Sequence, residues 1–298
     1  MPFAFESHES AQTAVDDWVR RNSPSSTARD LVQFEREHLE LFGERYGRLH
    51  IQFDVAFDQL VAVVEQVNYV EKSSWPQHRA LQYILLSHNL KAFISAMDRL
   101  SKGYYEDSAV LSRTLYETFL RAIFISCHRD DPWGAFPVPS PKGTPKFNAT
   151  NFARDVLRLD WHPIYSTMSA VAHSNFPRVG SSLHRIENRI GDPEVFGLSF
   201  EDDPKTLEFA AAFLPFLLAA YSRLVVERFV GDATVRNPDQ LEKARESIEW
   251  MSFMLSTNEK AIWQRAAVDL DYLFDLLDVA DSGGNWRAVA ELRPTVTK

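Results

Sequence analysis

The chain has 298 residues, of which 45% are hydrophobic and 24% are charged, and its formal net charge is −9. This acidic balance argues against broad electrostatic binding of nucleic acid or anionic membranes, although it leaves room for a small basic site that handles RNA. The single cysteine, Cys127, excludes an internal disulfide and fits a reducing compartment. The first residues lack the basic and apolar regions of a signal peptide. We therefore expect a cytoplasmic protein.

Apolar residues recur at helical spacing along most of the chain and predict an all-α fold. We expect a helical bundle around a central antiparallel helix hairpin at about residues 76–127, with extra C-terminal helices. Three segments follow from the pattern: N-terminal helices in residues 1–74, a core in 75–231, and a C-terminal helical pair with a loose tail in 232–298. We expect them to form one continuous globular unit.

The first strong helix signal begins at Ser26 or Thr27, either of which is suited to be the N-cap, and extends to about Tyr46. A second helix is expected from about Arg48 to Tyr69, where apolar residues again recur every three or four positions.

The next helix should begin near Pro76, which suits a first turn, and continue to Gly103 as its C-cap. The stretch from Gly103 to His128 is the most apolar long segment and predicts a helix at about Tyr104 to Cys127. A helix that is apolar around most of its circumference should be enclosed by other helices. A narrow polar stripe on it must then face water, a cleft or its own ion partners. The stripe consists of Glu106, Arg113, Glu117, Arg121 and His128.

Five prolines interrupt residues 130–150 and predict a Pro-rich loop there. Helical spacing resumes at about Asn151 to Leu159 and from Pro163 to Ala172. The only plausible strand is Val195 to Phe200.

Three further helices are expected, from Pro204 to about Val230, from Pro238 to about Ser256, and from there to Val279. The first contains a strongly apolar stretch, Phe209 to Tyr221, which is shorter than the ~20 residues that a membrane span requires. We therefore expect a buried core helix that is kinked at Pro215, no membrane contact, and a loose tail after Gly284.

Arg113 and Glu117 have the i, i+4 spacing of an intrahelical ion pair. The functional alternative is that these two charges line a polar cleft or binding site. Both interpretations stay open from the spacing alone.

Arg121 and His128 lie two turns apart on one face of the predicted central helix. A histidine that titrates near neutrality, together with a fixed cation, is the minimal pair for metal-free RNA cleavage. The histidine would handle the proton of the 2′-hydroxyl or of the leaving group, and the arginine would stabilise the charged phosphate. We therefore predict these two residues as catalytic candidates.

Tyr165, Ser169 and His173 recur at i, i+4 and i+8 and form one polar edge of a short predicted helix. Capping or packing by His173 is the alternative interpretation. We include the three residues with Arg113 and Glu117 as candidates for a polar cleft or binding site.

Sequence motifs for metals and cofactors are absent. The chain has no His-Glu-x-x-His, no paired cysteines, no Walker loop and no Gly-x-Gly-x-x-Gly. We expect no metal and no cofactor.

Two runs, LSKGYYEDSAVLSRTLYETFL and YSTMSAVAHS, resemble a group of uncharacterised bacterial helical proteins. The positions that carry the resemblance are Gly103, Ala109, Ser112, Arg113, Glu117, Ser169 and His173, and it covers about residues 80–175. This group is similar to the HEPN superfamily, helical bundles that include RNA-cleaving toxins, defence nucleases and inactive binding members. The HEPN nuclease motif is an arginine, four to six residues and a histidine. Arg121 and His128 fit its long limit, with Ala122 where a polar residue is usual.

The resemblance implies a metal-independent endoribonuclease in stress or phage defence, acting on RNA from a site at a homodimer interface. The alternative is a non-catalytic helical module that binds a partner protein, a nucleotide or a small ligand. In that case Arg113, Glu117 and His173 would form a buried polar network.

Overall fold

The computed structural model describes residues 26–68, 72–137, 146–159, 183–185, 196–198, 204–230, 237–257 and 261–293. The first element is helix α1, Ser26–Asn68, a single helix of 43 residues. The prediction of two helices meeting near Gly47 was therefore wrong. Gly43 and Gly47 each stand where an added Cβ would meet no atom within 4 Å. A glycine inside a helix costs only about 1 kcal/mol relative to alanine, and packing of the buried face outweighs that cost.

Helices α2, Gln77–His88, and α3, Leu90–Ser101, replace the single helix that was predicted between Pro76 and Gly103. The break lies at Asn89, whose side-chain amide donates a hydrogen bond to the carbonyl oxygen of Leu85 at 2.8 Å. Such a local side-chain bond competes with the helical pattern of the backbone. Gly103 has φ +87 and ends α3 as the left-handed residue directly after the C-cap Lys102.

Helix α4, Tyr105–Cys127, packs on α3 across the turn at Gly103 and is buried over most of its circumference. Two polar contacts fix its neighbours. The Gln82 side chain of α2 donates to the carbonyl oxygen of Ala122 at 2.7 Å and to the hydroxyl of Ser126 at 2.6 Å. The enclosed central helix predicted from the apolar pattern is thus present.

The chain after α4 forms a short 3-10 helix, Pro132–Ala135, and then α5, Ala149–Asn151, which begins at the N-cap Asn148. The backbone widens into a π-helix at Phe152–Val156. A regular helix was expected here as far as Leu159. The expected helix at 163–172 lies outside the described residues.

Two short antiparallel strands follow, β1, Leu183–Arg185, and β2, Phe196–Leu198. Leu183 pairs with Leu198. The second strand lies within the one predicted strand segment.

Helices α6, Pro204–Phe229, α7, Pro238–Ser256, and α8, Ala261–Asp281, complete the bundle. Buried side chains from α1, α4, α6, α7 and α8 belong to one hydrophobic cluster. The described helices include none that is long and apolar enough to cross a membrane.

The tail after Gly284 was predicted to be loose, and this was wrong for its first part. Helix α9, Trp286–Leu292, follows a tight turn at Gly283, which has φ +77. Asn285 caps the helix by accepting a hydrogen bond from the backbone N–H of Ala288 at 3.3 Å. A side-chain ion pair between Arg293 and Asp269 then fixes the end of α9 to α8.

Candidate functional site

A cleft of about 460 Å³ lies between the end of α4, the segment of α5 and the π-helix, and α9. Its aromatic surface comes from all three walls: Phe124 of α4, Phe152 of the π-helix and Trp286 of α9. The volume falls within the range of about 300–1,000 Å³ that is typical of small-molecule sites.

His128 lines this cleft directly after the last residue of α4. Its ring stacks on Phe124, with centroids 4.0 Å apart, and meets the edge of Trp286 at 5.6 Å. The Nδ1 atom lies 2.9 Å from the carbonyl oxygen of Phe124. Because a carbonyl only accepts, we assign the hydrogen to Nδ1 in the neutral ring. Nε2 then carries the free lone pair and can accept a hydrogen bond from a ligand in the cleft.

Burial lowers the pKa of His128 below its ordinary value of 6.5, and the positive charge of Arg287 lowers it further. The hydrogen bond to Phe124 and the charge of Asp131 act in the opposite direction but are outweighed. The ring is therefore neutral at pH 7, which is the state required of a hydrogen-bond acceptor or a general base.

Lys146 and Arg287 bring positive charge to the cleft. Both residues are exposed, and the Arg287 guanidinium lies 5.3 Å from the centre of the Trp286 ring. Within the described part of the chain, neither residue forms an ion pair. Cations without carboxylate partners remain available to an anionic ligand.

Two other charged groups of the cleft, Asp155 and Arg158, are engaged. Arg154 holds the carboxylate of Asp155 through two hydrogen bonds, at 2.7 and 2.8 Å. Arg158 donates to two backbone carbonyl oxygens at the end of α9. Glu291 is an exposed carboxylate on the α9 wall.

Arg121, the predicted catalytic partner of His128, does not line this cleft. Its guanidinium lies 5.1 Å from the centre of the Phe147 ring, and Phe147 in turn meets Phe124 edge to face at 5.5 Å. Two aromatic rings therefore connect Arg121 to His128, and the two side chains make no direct contact. The catalytic role of the pair stays a prediction.

Arg113 and Glu117 form the intrahelical ion pair that their spacing predicted, with Nε and Oε1 separated by 2.8 Å. Their side chains are 20% and 26% exposed, so this part of the stripe lies at the edge of the enclosed helix. The remaining binding candidates, Tyr165, Ser169 and His173, lie outside the described residues.

The described segments contain no group of three or more His, Cys, Asp or Glu residues that could hold a metal ion. Burial strongly raises the pKa of the Cys127 thiol. The thiol is therefore protonated at neutral pH and is a poor nucleophile.

Sequence reasoning found His128 but missed Lys146, Trp286 and Arg287. One signal was available: Asn285 after two glycines is a helix N-cap, and it precedes a tryptophan. No spacing rule connects that short helix to the end of α4, which lies about 160 positions earlier in the chain.

No protein-family model, no curated protein and no solved structure matches this chain.

Proposed function

We propose that this all-α protein binds a small anionic ligand with a planar ring, of the nucleotide class, in the cleft beside His128. One observation carries the proposal: Lys146 and Arg287, which have no ion-pair partner among the described residues, share the cleft with the rings of Phe152 and Trp286. Two such cations beside aromatic rings favour the binding of a negatively charged, planar group.

The charged and the aromatic residues of the walls would bind different parts of the ligand. The phosphate would lie near Arg287 and Lys146, because guanidinium and ammonium groups form strong charge-assisted hydrogen bonds with phosphate oxygens. The planar ring would lie against the aromatic surface, where stacking contributes about 1–3 kcal/mol per base. His128 Nε2 and the side-chain amides of Asn148 and Asn151 would accept and donate hydrogen bonds at the edge of the ring.

Isothermal titration calorimetry with AMP, adenosine and inorganic phosphate tests this proposal. We expect AMP to bind more tightly than either fragment, because only AMP engages both parts of the cleft. Arg287→Ala should weaken AMP binding about 10-fold or more, as expected for loss of a hydrogen bond to a charged group. Arg265→Ala, which removes an exposed arginine from α8, is the matched control. Absence of binding by the wild type, or an equal loss in the control, would refute the proposal.

The second candidate function is metal-independent RNA cleavage, and the neutral state of His128 favours it. A neutral imidazole in a cleft can take the proton of a 2′-hydroxyl, whose oxygen then attacks the phosphorus to form the 2′,3′-cyclic phosphate. The bond from phosphorus to the 5′-oxygen breaks, and the 5′-oxygen takes a proton from water. Arg287 is close enough to His128 to lower its pKa and would stabilise the phosphate. The resemblance to HEPN proteins supports this reaction, a role in stress or phage defence, and a homodimer.

Incubation of the pure protein with total RNA and tRNA in EDTA tests the second candidate. We expect the wild type to produce 2′,3′-cyclic phosphate ends and His128→Ala to produce none, whereas His88→Ala, a change at an exposed histidine of α2, should cleave normally. Parallel assays of Arg121→Ala and Arg287→Ala identify the arginine that the reaction uses. Binding of AMP without cleavage of any RNA would refute the second candidate and leave ligand binding as the only proposed function.

A further inference from the structure

Arg158 stands in a backbone conformation that residues with a side chain rarely adopt. Its φ is +54, and it is the only non-glycine residue with a positive φ in the described part of the chain. Backbone outliers of this kind persist only where the surrounding structure determines them, and they concentrate at functional sites.

The conformation of Arg158 follows from the π-helix before it. The N–H of Leu157 donates to the carbonyl oxygen of Phe152 at 2.8 Å, and the N–H of Leu159 donates to that of Ala153 at 2.9 Å. These wide turns end the helix and reverse the chain at Arg158. Single π-helical turns are rare and often accompany binding sites.

The guanidinium of Arg158 crosses to the opposite wall of the cleft. Its Nη1 donates to the carbonyl oxygen of Glu291 at 3.0 Å and to that of Arg293 at 2.6 Å. The last carbonyls of a helix have no partner within the helix, so a cation placed there satisfies them and complements the helix dipole.

Helix α9 depends on such contacts because it has only seven residues. Isolated helices shorter than about 12 residues are at best marginally stable in water. The Trp286 indole N–H, which donates to the carbonyl oxygen of Cys127 at 3.0 Å, fixes its first turn. Arg158 holds its last turn, where Arg293 also pairs with the buried Asp269.

We propose that Arg158 is a positioning residue of the cleft: by capping α9 from the end of the π-helix, it sets the separation of the two walls between which the ligand binds. The proposal rests on the proposed binding function. It assigns Arg158 a role different from that of Arg287. Arg158 donates both N–H groups of Nη1 to backbone carbonyls, whereas Arg287 would bind the phosphate of the ligand.

Two measurements on Arg158→Gly test the proposal, amide hydrogen exchange of residues 286–293 and calorimetric titration with AMP. Glycine adopts φ +54 without strain, so this variant removes the guanidinium and keeps the turn. We expect α9 amides to exchange at least 10-fold faster and the Kd for AMP to rise at least 10-fold. Arg287→Ala is the contrasting variant, because it should weaken AMP binding while raising amide exchange in the last turn of α9 far less than Arg158→Gly does.

Arg158→Lys separates positioning from direct charge recognition. A lysine keeps the charge but lacks the planar fork of donors, so we expect faster α9 exchange and weaker binding. A loss of affinity in Arg158→Lys with α9 exchange as in the wild type would refute the proposal. So would a loss of affinity in Arg158→Gly while α9 exchange stays as in the wild type.

The outcomes also separate this proposal from the proposed function. If the wild type binds no AMP, the binding function fails, and α9 exchange alone decides whether Arg158 holds the wall. If the wild type binds AMP and Arg158→Gly behaves like the wild type in both measurements, only the positioning role fails. Thermal unfolding followed by circular dichroism checks that each variant is folded.

Discussion

The indole N–H of Trp286 donates a hydrogen bond to the carbonyl oxygen of Cys127, 3.0 Å away and 159 positions earlier in the chain. Cys127 is the last residue of α4, so its carbonyl oxygen has no backbone N–H partner within that helix. A residue of the C-terminal helix thus caps the central helix of the bundle. The same contact places the Trp286 ring beside His128 in the wall of the cleft.

The ion pair between Arg293 and Asp269 should contribute strongly to stability, because the Asp269 side chain is completely buried. Arg293→Ala removes this ion pair from the buried carboxylate, and breaking a buried pair from one side typically costs about 3–5 kcal/mol. We expect a loss of about 3 kcal/mol in the free energy of unfolding, measured with urea. Arg265→Ala, at an exposed site of the same helix α8, should change stability by less than about 0.5 kcal/mol.

The turn that leads into α9 should tolerate no side chain at Gly284. A Cβ added there would lie 2.8 Å from Cγ1 and 3.1 Å from the carbonyl oxygen of Val279. We expect Gly284→Ala to destabilise the protein by about 1–3 kcal/mol, as overpacking does, and to increase amide exchange in α9.

Gly43→Ala provides the matched control for this change. An added Cβ meets no atom within 4 Å at Gly43, which lies inside α1. There we expect a gain of about 0.5–1 kcal/mol in the free energy of unfolding, because alanine favours the helix. Equal effects of the two substitutions would show that the turn at Gly284 is not sterically constrained.

Residues with strong local preferences allowed accurate prediction of several helices. Pro238 at a first helical position fixed the start of α7, and Gly103 as a C-cap fixed the boundary between α3 and α4. Breaks that depend on tertiary packing were not predictable in this way. Gly47 suggested an interruption that α1 does not have. The break between α2 and α3 at Asn89 was not predicted from the sequence.

The candidate site was only partly predictable for a similar reason. His128 stood out because a titratable residue at the end of an apolar helix is unusual. Its neighbours in the cleft, Lys146 and Arg287, come from distant parts of the chain and carry no motif. Their approach depends on how α9 folds back against α4, and periodicity within a single helix contains no information about that contact.

The Arg113–Glu117 pair should behave as a partly exposed ion pair of modest strength. A double-mutant cycle with alanine at both positions should give a coupling energy of about 0.5–1 kcal/mol. The pair Asp98–Lys102 has the same spacing and greater exposure, 48% and 33%, and should give a smaller value. A coupling energy above about 2 kcal/mol for Arg113–Glu117 would instead indicate the buried polar network.

The lowered pKa of His128 predicts how stability changes with pH. Above its ordinary value of 6.5 the ring is neutral in both the folded and the unfolded state and contributes no pH dependence. As pH falls below 6.5, the unfolded state binds the proton first, so stability decreases until the pH reaches the folded pKa. His128→Gln removes this contribution. We therefore expect the stability of the variant, measured by urea unfolding between pH 7 and pH 5, to depend less on pH than that of the wild type.

The size of this effect is bounded, because one proton changes the free energy of unfolding by at most about 1.4 kcal/mol per pH unit. His78, whose pKa burial also lowers, contributes a similar slope to both proteins and cancels in the difference. If His128→Gln retained the wild-type slope, the ring of His128 would titrate alike in the folded and unfolded states. In that case burial would not lower the pKa of His128, and the ring would be neutral only above its ordinary value of 6.5.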